Sequence, residues 1–403
     1  MHTEHYLDTA RLGRMCDGAR SAEHDFGWLV SRLGSSLYLE RFLSRGYDTL
    51  PRRFARRVPR LRCWSGIAGL SVELGDFIRQ PANLPTHFFG QSASLSGFAA
   101  ECLFRNANRV LTTDLEWPAY RNALRATAIR HGKALITIPM LKRALYDRVS
   151  ASEIVELIAD TFTKYACDGI FLSDISYLGQ CMPVEQLLRR LERDCRFSVI
   201  DGAQAFNQRP VALNSMKCDL YLTGTQKWLC SYHPLRIAFV GRNANVDSIE
   251  KCSQDSVTIT DPLYHFCNTL TGGQSPSFGE TVNVVGLISA AGALKQMRYH
   301  SFAKRQLLWH SLKANSRAIL EWLDLPRRQL PNIDSSLQSG ITLLRTPNAP
   351  ACSNADIRHT LAENRIIAST FPEQLLRLSM PKTKLSLSQM TTVQRAFYRL
   401  ATT

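Results

Sequence analysis

The sequence predicts an α/β fold: a large domain on a mostly parallel sheet with helices on both faces, and a smaller α+β domain at the C-terminal end. Three observations carry this. The middle of the chain alternates strand-like with helix-like segments, the pattern of a parallel sheet covered on both sides. A chain of 403 residues, 45% of them hydrophobic, exceeds what a single compact core usually holds. The C-terminal third changes character, with helical stretches up to about Leu323 giving way to short strands and a last helix.

In chain order, Asn108 to Thr113 (NRVLTT) reads as a strand. Ser150 and Glu153 form a capping-box pattern opening a helix with apolar Ile154, Leu157, Ile158 and Phe162. Asp168 to Ile175 (DGIFLSDI) is a buried strand, and Pro183 begins the next helix (PVEQLLRRLERD), where a first-turn proline costs no hydrogen bond. Phe197 to Ile200 (FSVI) and Asp219 to Leu222 (DLYL) are two further strands. Val284 to Leu294 is the most apolar run; Gly286, Ser289 and Gly292 break it, so it reads as a buried small-residue helix. Strands at Gly340 to Arg345 and Leu375 to Met380 and a helix from Ser386 to Leu400 complete the small domain. The division expected is 1–30 as an N-terminal segment packing on the small domain and active site, 31–285 as the large domain, and 286–403 as the small one.

Composition narrows the function classes. The start, Met-His-Thr-Glu-His-Tyr, has no apolar run behind a basic cluster, which argues against a secretory signal. No stretch approaches the roughly 18 to 20 apolar residues of a membrane helix. Eleven cysteines without a C-x-x-C pair or histidines at zinc spacing argue for reduced thiols in a cytoplasmic setting, and against a metal site. The net charge of +15 is concentrated early: Pro51 to Arg62 reads PRRFARRVPRLR, with six arginines. No nucleic-acid module accompanies it, so the favoured reading is a solvated face that draws anions toward an active-site mouth, with nucleic-acid binding disfavoured.

Chemistry concentrates after three strands, where ligands of parallel sheets bind. FSVI is followed by Asp201-Gly202-Ala203-Gln204-Ala205-Phe206, DLYL by Thr223-Gly224-Thr225-Gln226-Lys227-Trp228, and NRVLTT by Asp114-Leu115-Glu116-Trp117-Pro118. A carboxylate that keeps a pyridine nitrogen protonated turns the ring into an electron sink. A desolvated lysine forms an imine and then shuttles protons. An aromatic residue stacks on the ring, and hydroxyls, amides and a helix N-terminus hold a phosphate.

The DGAQAF segment followed by a Lys-Trp pair closely resembles the class V aminotransferase and cysteine desulfurase group of fold-type I pyridoxal phosphate enzymes. The resemblance runs in order through YLDTARLG (Tyr6 to Gly13), GQSASLSGFAAE (Gly90 to Glu101), DISYLGQCMPVE (Asp174 to Glu185), GETVNVVG (Gly279 to Gly286) and LLRLS (Leu375 to Ser379). It implies a seven-stranded sheet and pyridoxal 5′-phosphate as cofactor. Lys227 would form the Schiff base, Asp201 would partner the pyridine nitrogen, Gln204 would bond the ring hydroxyl and Trp117 would stack on the ring. Ser92 or Ser94, with Thr225 and Gln226, would contact the phosphate. Thr281 matches a phosphate contact made by the neighbouring subunit, which implies a homodimer. Arg377 matches the arginine that pairs with the substrate carboxylate, a role suited to a bidentate guanidinium, and Arg11 lies in the N-terminal active-site turn as a second substrate contact.

Three departures matter. Gln226 stands where many relatives have histidine, and glutamine cannot carry positive charge. The glycine-rich turn that often follows is replaced by Ser231-Tyr232-His233-Pro234-Leu235-Arg236. Ile366 to Leu376 (IIASTFPEQLL), where desulfurases of the group carry a nucleophilic cysteine, has none, and Cys352 lies too far upstream. The expected activity is therefore an aminotransferase or a carbon–sulfur or β-elimination lyase on a small amino-acid-like substrate, and not a persulfide-forming desulfurase. Epimerisation, as in the isopenicillin N epimerase-like branch, stays open, as does an inactive binding protein using the basic 51–62 surface.

Overall fold

The computed structural model describes residues 5–39, 41–242, 246–254, 260–272, 281–323, 333–345, 353–372 and 375–402. Its strands are β1 (His5–Tyr6), β2 (Thr86–Phe89), β3 (Arg109–Thr113), β4 (Ala134–Ile138), β5 (Gly169–Ser173), β6 (Phe197–Asp201), β7 (Leu220–Gly224), β8 (Arg236–Val240), β9 (Ile341–Arg345), β10 (Ile366–Ile367), β11 (Ser369–Phe371) and β12 (Leu375–Ser379). One seven-stranded sheet has the order β2-β8-β7-β6-β5-β3-β4. Only β8 runs against its neighbours; the strands from β7 to β4 pair in parallel.

The central strands show why the sequence reads as it does. β5, β6 and β7 are buried along their whole length. Successive side chains point to opposite faces, and they join two different cores. Ile170, Leu172, Ile200 and Tyr221 enter one; Phe171, Val199, Leu220 and Leu222 enter the other. A strand packed on both faces has no polar side to alternate with, which gives the continuous apolar runs.

The helical signals resolve as local chemistry. Ser150 accepts from the Glu153 N–H at 3.3 Å, and the Glu153 carboxylate accepts from the Ser150 N–H at 2.8 Å, opening the Ala151–Lys164 helix. Pro183 caps the Val184–Arg190 helix. The small-residue run forms the Val285–Arg298 helix, packed on the Asp17–Leu33 helix. A Cβ on Gly292 would stand 2.4 Å from the Gly18 carbonyl oxygen, so only glycine permits this approach. No helix among the described residues is long and apolar enough to cross a membrane.

Near the C-terminal end, β9, β11 and β12 form an antiparallel sheet in the order β11-β12-β9, accompanied by the Asn354–Glu363 and Leu387–Thr402 helices. The N-terminal segment joins this region: β1 pairs in parallel with β10, and the Leu7 carbonyl accepts from the Ser379 N–H at 2.7 Å. That pairing carries Ala10 and Arg11 to the edge of the large sheet. Gly279 and Glu280 of the GETVNVVG segment, and Cys352, lie outside the described residues.

Candidate active site

The carboxyl ends of β5, β6 and β7 open into a cavity of about 210 Å³, where Ser173, Asp201 and Gly224 close the three strands. Lys227, three residues beyond β7, faces Asp201 across it. No direct ion pair joins these two among the described residues, and each feels the other's charge across the shared cavity. Burial raises the Asp201 carboxyl pKa, and the nearby Lys227 ammonium opposes the shift. Its Oδ1 accepts from the Ala203 N–H at 2.9 Å, which orients the carboxylate. Burial lowers the Lys227 pKa to about 8, against the pull of Asp201. A lysine so placed is partly a neutral nucleophile near neutral pH.

The loop around this pair requires two close approaches. A Cβ on Gly202 would stand 2.0 Å from Tyr221 Cζ, and one on Gly13 would stand 2.1 Å from the Lys227 carbonyl oxygen. Gly13 N–H donates to the Gln226 carbonyl at 2.7 Å, docking the N-terminal turn on the lysine loop. Arg11, exposed, lines the cavity from this turn.

Arg377, in β12, reaches the same cavity from the opposite side and is 3% exposed. Its Nη1 donates to the Tyr177 carbonyl at 2.9 Å, and its Nη2 to Ser369 Oγ at 3.3 Å. Asp8 lies 3.8 Å from Nη2, and its Oδ1 also accepts from Ser369. Burial lowers the guanidinium pKa to about 10. Its buried Nε has no partner.

Gln204, Gln226, Ser92 and Trp117 also line the cavity. The Gln204 amide is held at both ends, donating to the Ala10 carbonyl at 2.8 Å and accepting from Trp228 Nε1 at 2.9 Å, which leaves one N–H for a ligand. Trp117 is 44% exposed and makes an edge contact with Tyr177, ring centroids 5.5 Å apart. Two expected contacts fall elsewhere. Thr225 is buried with its hydroxyl accepting from Ser231 Oγ at 2.7 Å, so it faces into the protein. Ser94 lies off the cavity because two residues along a helix turn a side chain to the far side. Thr281 is exposed and outside the cavity of its own chain. None of the six arginines between positions 51 and 62 lines the cavity.

Sequence reasoning missed Glu116, Tyr120, Ser173 and Tyr177, and met Arg236 only as part of an altered turn. Glu116 is fully buried, accepts from Thr113 Oγ1 at 3.1 Å and from Ser173 Oγ, and burial raises its pKa to about 8. Its signal was present: it follows a parallel strand one residue before Trp117. Ser173 pairs in register with Asp201, so a protonated acid stands behind the ionisable one. Burial raises both carboxyls, and the charge of Asp201 raises Glu116 further, whereas Lys227 and the Ala203 N–H pull Asp201 back toward ionisation.

The family profile of class V aminotransferases matches residues 88–392. The chain belongs to the class V aminotransferase family. It is a pyridoxal phosphate-dependent enzyme. Solved structures agree in fold. Ureidoglycine–glyoxylate aminotransferase of Bacillus subtilis superposes with a TM-score of 0.70 at 13% identity, covering 99% of this chain and 93% of that one. The cysteine desulfurase CsdA of Escherichia coli gives 0.71 at 14% identity, covering 98% and 94%. C-DES, solved with glycine covalently linked to its PLP cofactor, gives 0.68 at 14%, covering 99% and 96%. No curated protein matches the sequence.

This class V site fits the cofactor on its own terms. Buried Gln226 Oε1, Arg236 Nε and Arg377 Nε have no protein partners. Orphaned buried polar atoms cost about 1–3 kcal/mol each, a cost that a polar ligand relieves. Asp201 would hold the ring nitrogen, Lys227 the ring aldehyde carbon, and Ser92 with Gln226 the phosphate.

Proposed function

We propose that this enzyme acts at the α-carbon of a small amino-acid-like substrate as an aminotransferase or a carbon–sulfur or β-eliminating lyase, and not as a persulfide-forming desulfurase. One observation carries the reading: Lys227, Asp201 and Arg377 face a single cavity, while the Ile366–Leu376 segment that borders Arg377 contains no cysteine. The bound cofactor supplies an electron sink for charge developing at the substrate α-carbon.

The protein's own residues do the rest. Arg377, held by the Tyr177 carbonyl and Ser369, would bind the substrate carboxylate and so fix the orientation of the α-carbon. Lys227 Nζ, with its pKa lowered to about 8, takes and returns the α-proton. Asp201 would hold the ring nitrogen and favour its protonated form. Trp117 and Tyr177, in edge contact, form part of the cavity wall. The convergence of Lys227, Asp201, Gln204 and Arg377 supports catalysis over an inactive binding role. A homodimer completed by Thr281 of a second copy, in a cytoplasmic setting, belongs to the same reading.

The test is to incubate the purified protein with amino acids, follow the visible spectrum and identify products. Keto acid or ammonia with an unsaturated or keto product supports the proposal. A protein-bound persulfide from cysteine overturns the exclusion of desulfuration, and an inverted stereocentre alone assigns an epimerase.

A further inference from the structure

Gln226 cannot supply the positive charge that a histidine at that position supplies to a phosphate dianion. A cation stands nearby from a different element. Arg236 opens β8, where its Cα pairs with Gly224 of β7 on one side and with Phe89 of β2 on the other. Those two strand ends lead directly into Gln226 and into Ser92, the first residue of the 15-residue Ser92–Asn106 helix. Arg236 therefore sits between the two segments that end in the N–H groups and side chains available to an anion.

Side-chain placement agrees. Arg236 Nη1 and Gln226 Oε1 each stand 2.6 Å from the point a Cβ on Gly224 would occupy, so the two polar ends converge over one α-carbon. Both side chains line the cavity. Gln226 is 4% exposed, and its Oε1, like Arg236 Nε, has no partner. Rotation of the Gln226 amide turns its N–H₂ toward the same spot. The groups facing Arg236 from neighbouring elements are Tyr120 of the Pro118–His131 helix, Asp201 of β6 and, as a like charge, Lys227 beyond β7. No hydrogen bond or ion pair joins any of them to Arg236 among the described residues, and its buried Nε has no partner.

We propose that Arg236 and Gln226 form an oxyanion clamp, in which Arg236 supplies the charge for the cofactor phosphate and makes the site selective for the phosphorylated form of the vitamin. The proposal rests on the cofactor assignment above and adds a residue to it. The competing role for Arg236 is as counter-ion to Asp201. That role affects phosphorylated and unphosphorylated ligands alike, whereas the clamp affects only the former.

The experiment measures binding of pyridoxal phosphate and of pyridoxal to the apoprotein, by absorbance of the imine band, for the wild type, Arg236→Gln and Arg236→Lys. Loss of a charge-assisted contact predicts about a tenfold or greater rise in Kd for pyridoxal phosphate in Arg236→Gln. The preference over pyridoxal should shrink by the same factor, and Arg236→Lys should restore part of it. Equal weakening of both ligands, or no weakening of either, overturns the clamp. A second measurement needs no variant: inorganic phosphate should raise the melting temperature of the wild-type apoprotein above that in chloride at equal ionic strength, and no difference counts against the proposal. If the wild type forms an imine band with neither ligand, the cofactor assignment fails; a band with unaltered discrimination in Arg236→Gln removes only the clamp.

Discussion

Glu116 offers a prediction whose size follows from where it sits. It has no solvent exposure, and burial lifts its pKa from an ordinary 4.5 to about 8. The folded state thus binds its proton more tightly than the unfolded state does. For a group raised on folding, the stabilisation is complete below the unfolded value and is lost as pH rises through the folded one. The window runs from pH 4.5 to about 8. At about 1.4 kcal/mol per pH unit, the loss across it is on the order of 5 kcal/mol, of which roughly 3 is spent by pH 7. Glu116→Gln keeps an acceptor for Ser173 and removes the titration. Urea unfolding of the apoproteins between pH 5 and 8.5 should show the wild type losing several kcal/mol relative to the variant. Parallel stability curves for the two proteins would refute the claim that a buried neutral acid lies behind Asp201.

Four further outcomes are expected. Lys227→Ala should lose the visible imine band and lower turnover by about 10³-fold or more, judged by spectrum and steady-state rate. In the wild-type apoprotein, imine formation with added cofactor should accelerate as pH rises and level off above about 8, as the Lys227 amine loses its proton; a flat stopped-flow profile from pH 6 to 9 would contradict this. Arg377→Gln should weaken the substrate carboxylate contact by about 1.5–3 kcal/mol, seen as a higher KM. Gly202→Ala places a carbon 2.0 Å from Tyr221 Cζ and should cost about 3 kcal/mol, read from denaturant unfolding.

The predicted strands and helices reappear within a few residues because their causes are local. β5, β6 and β7 read as buried strands since both their faces are covered, and the Ser150–Glu153 box opens its helix through contacts three residues apart. The convergence of Asp201 and Lys227 on one cavity was legible for a related reason: parallel strands put their carboxyl ends on one edge, so a group that closes β6 and one just past β7 meet there. The arginine-rich 51–62 stretch contributes nothing to the cavity lining, and composition marks a charged face without saying which opening it borders.

What the sequence determined by itself was the order of the elements and the residue types at the strand ends, both set by nearest neighbours along the chain. Tertiary structure alone decided which of those residues share a cavity. Thr225 and Ser94 are hydroxyls in motif positions, yet a partner in Ser231 and a helical turn direct them away. Glu116 and Arg236 carry no motif, and they matter because burial and cross-strand register hold them beside Asp201 and Gln226. Burial and register come from contacts between residues distant in sequence.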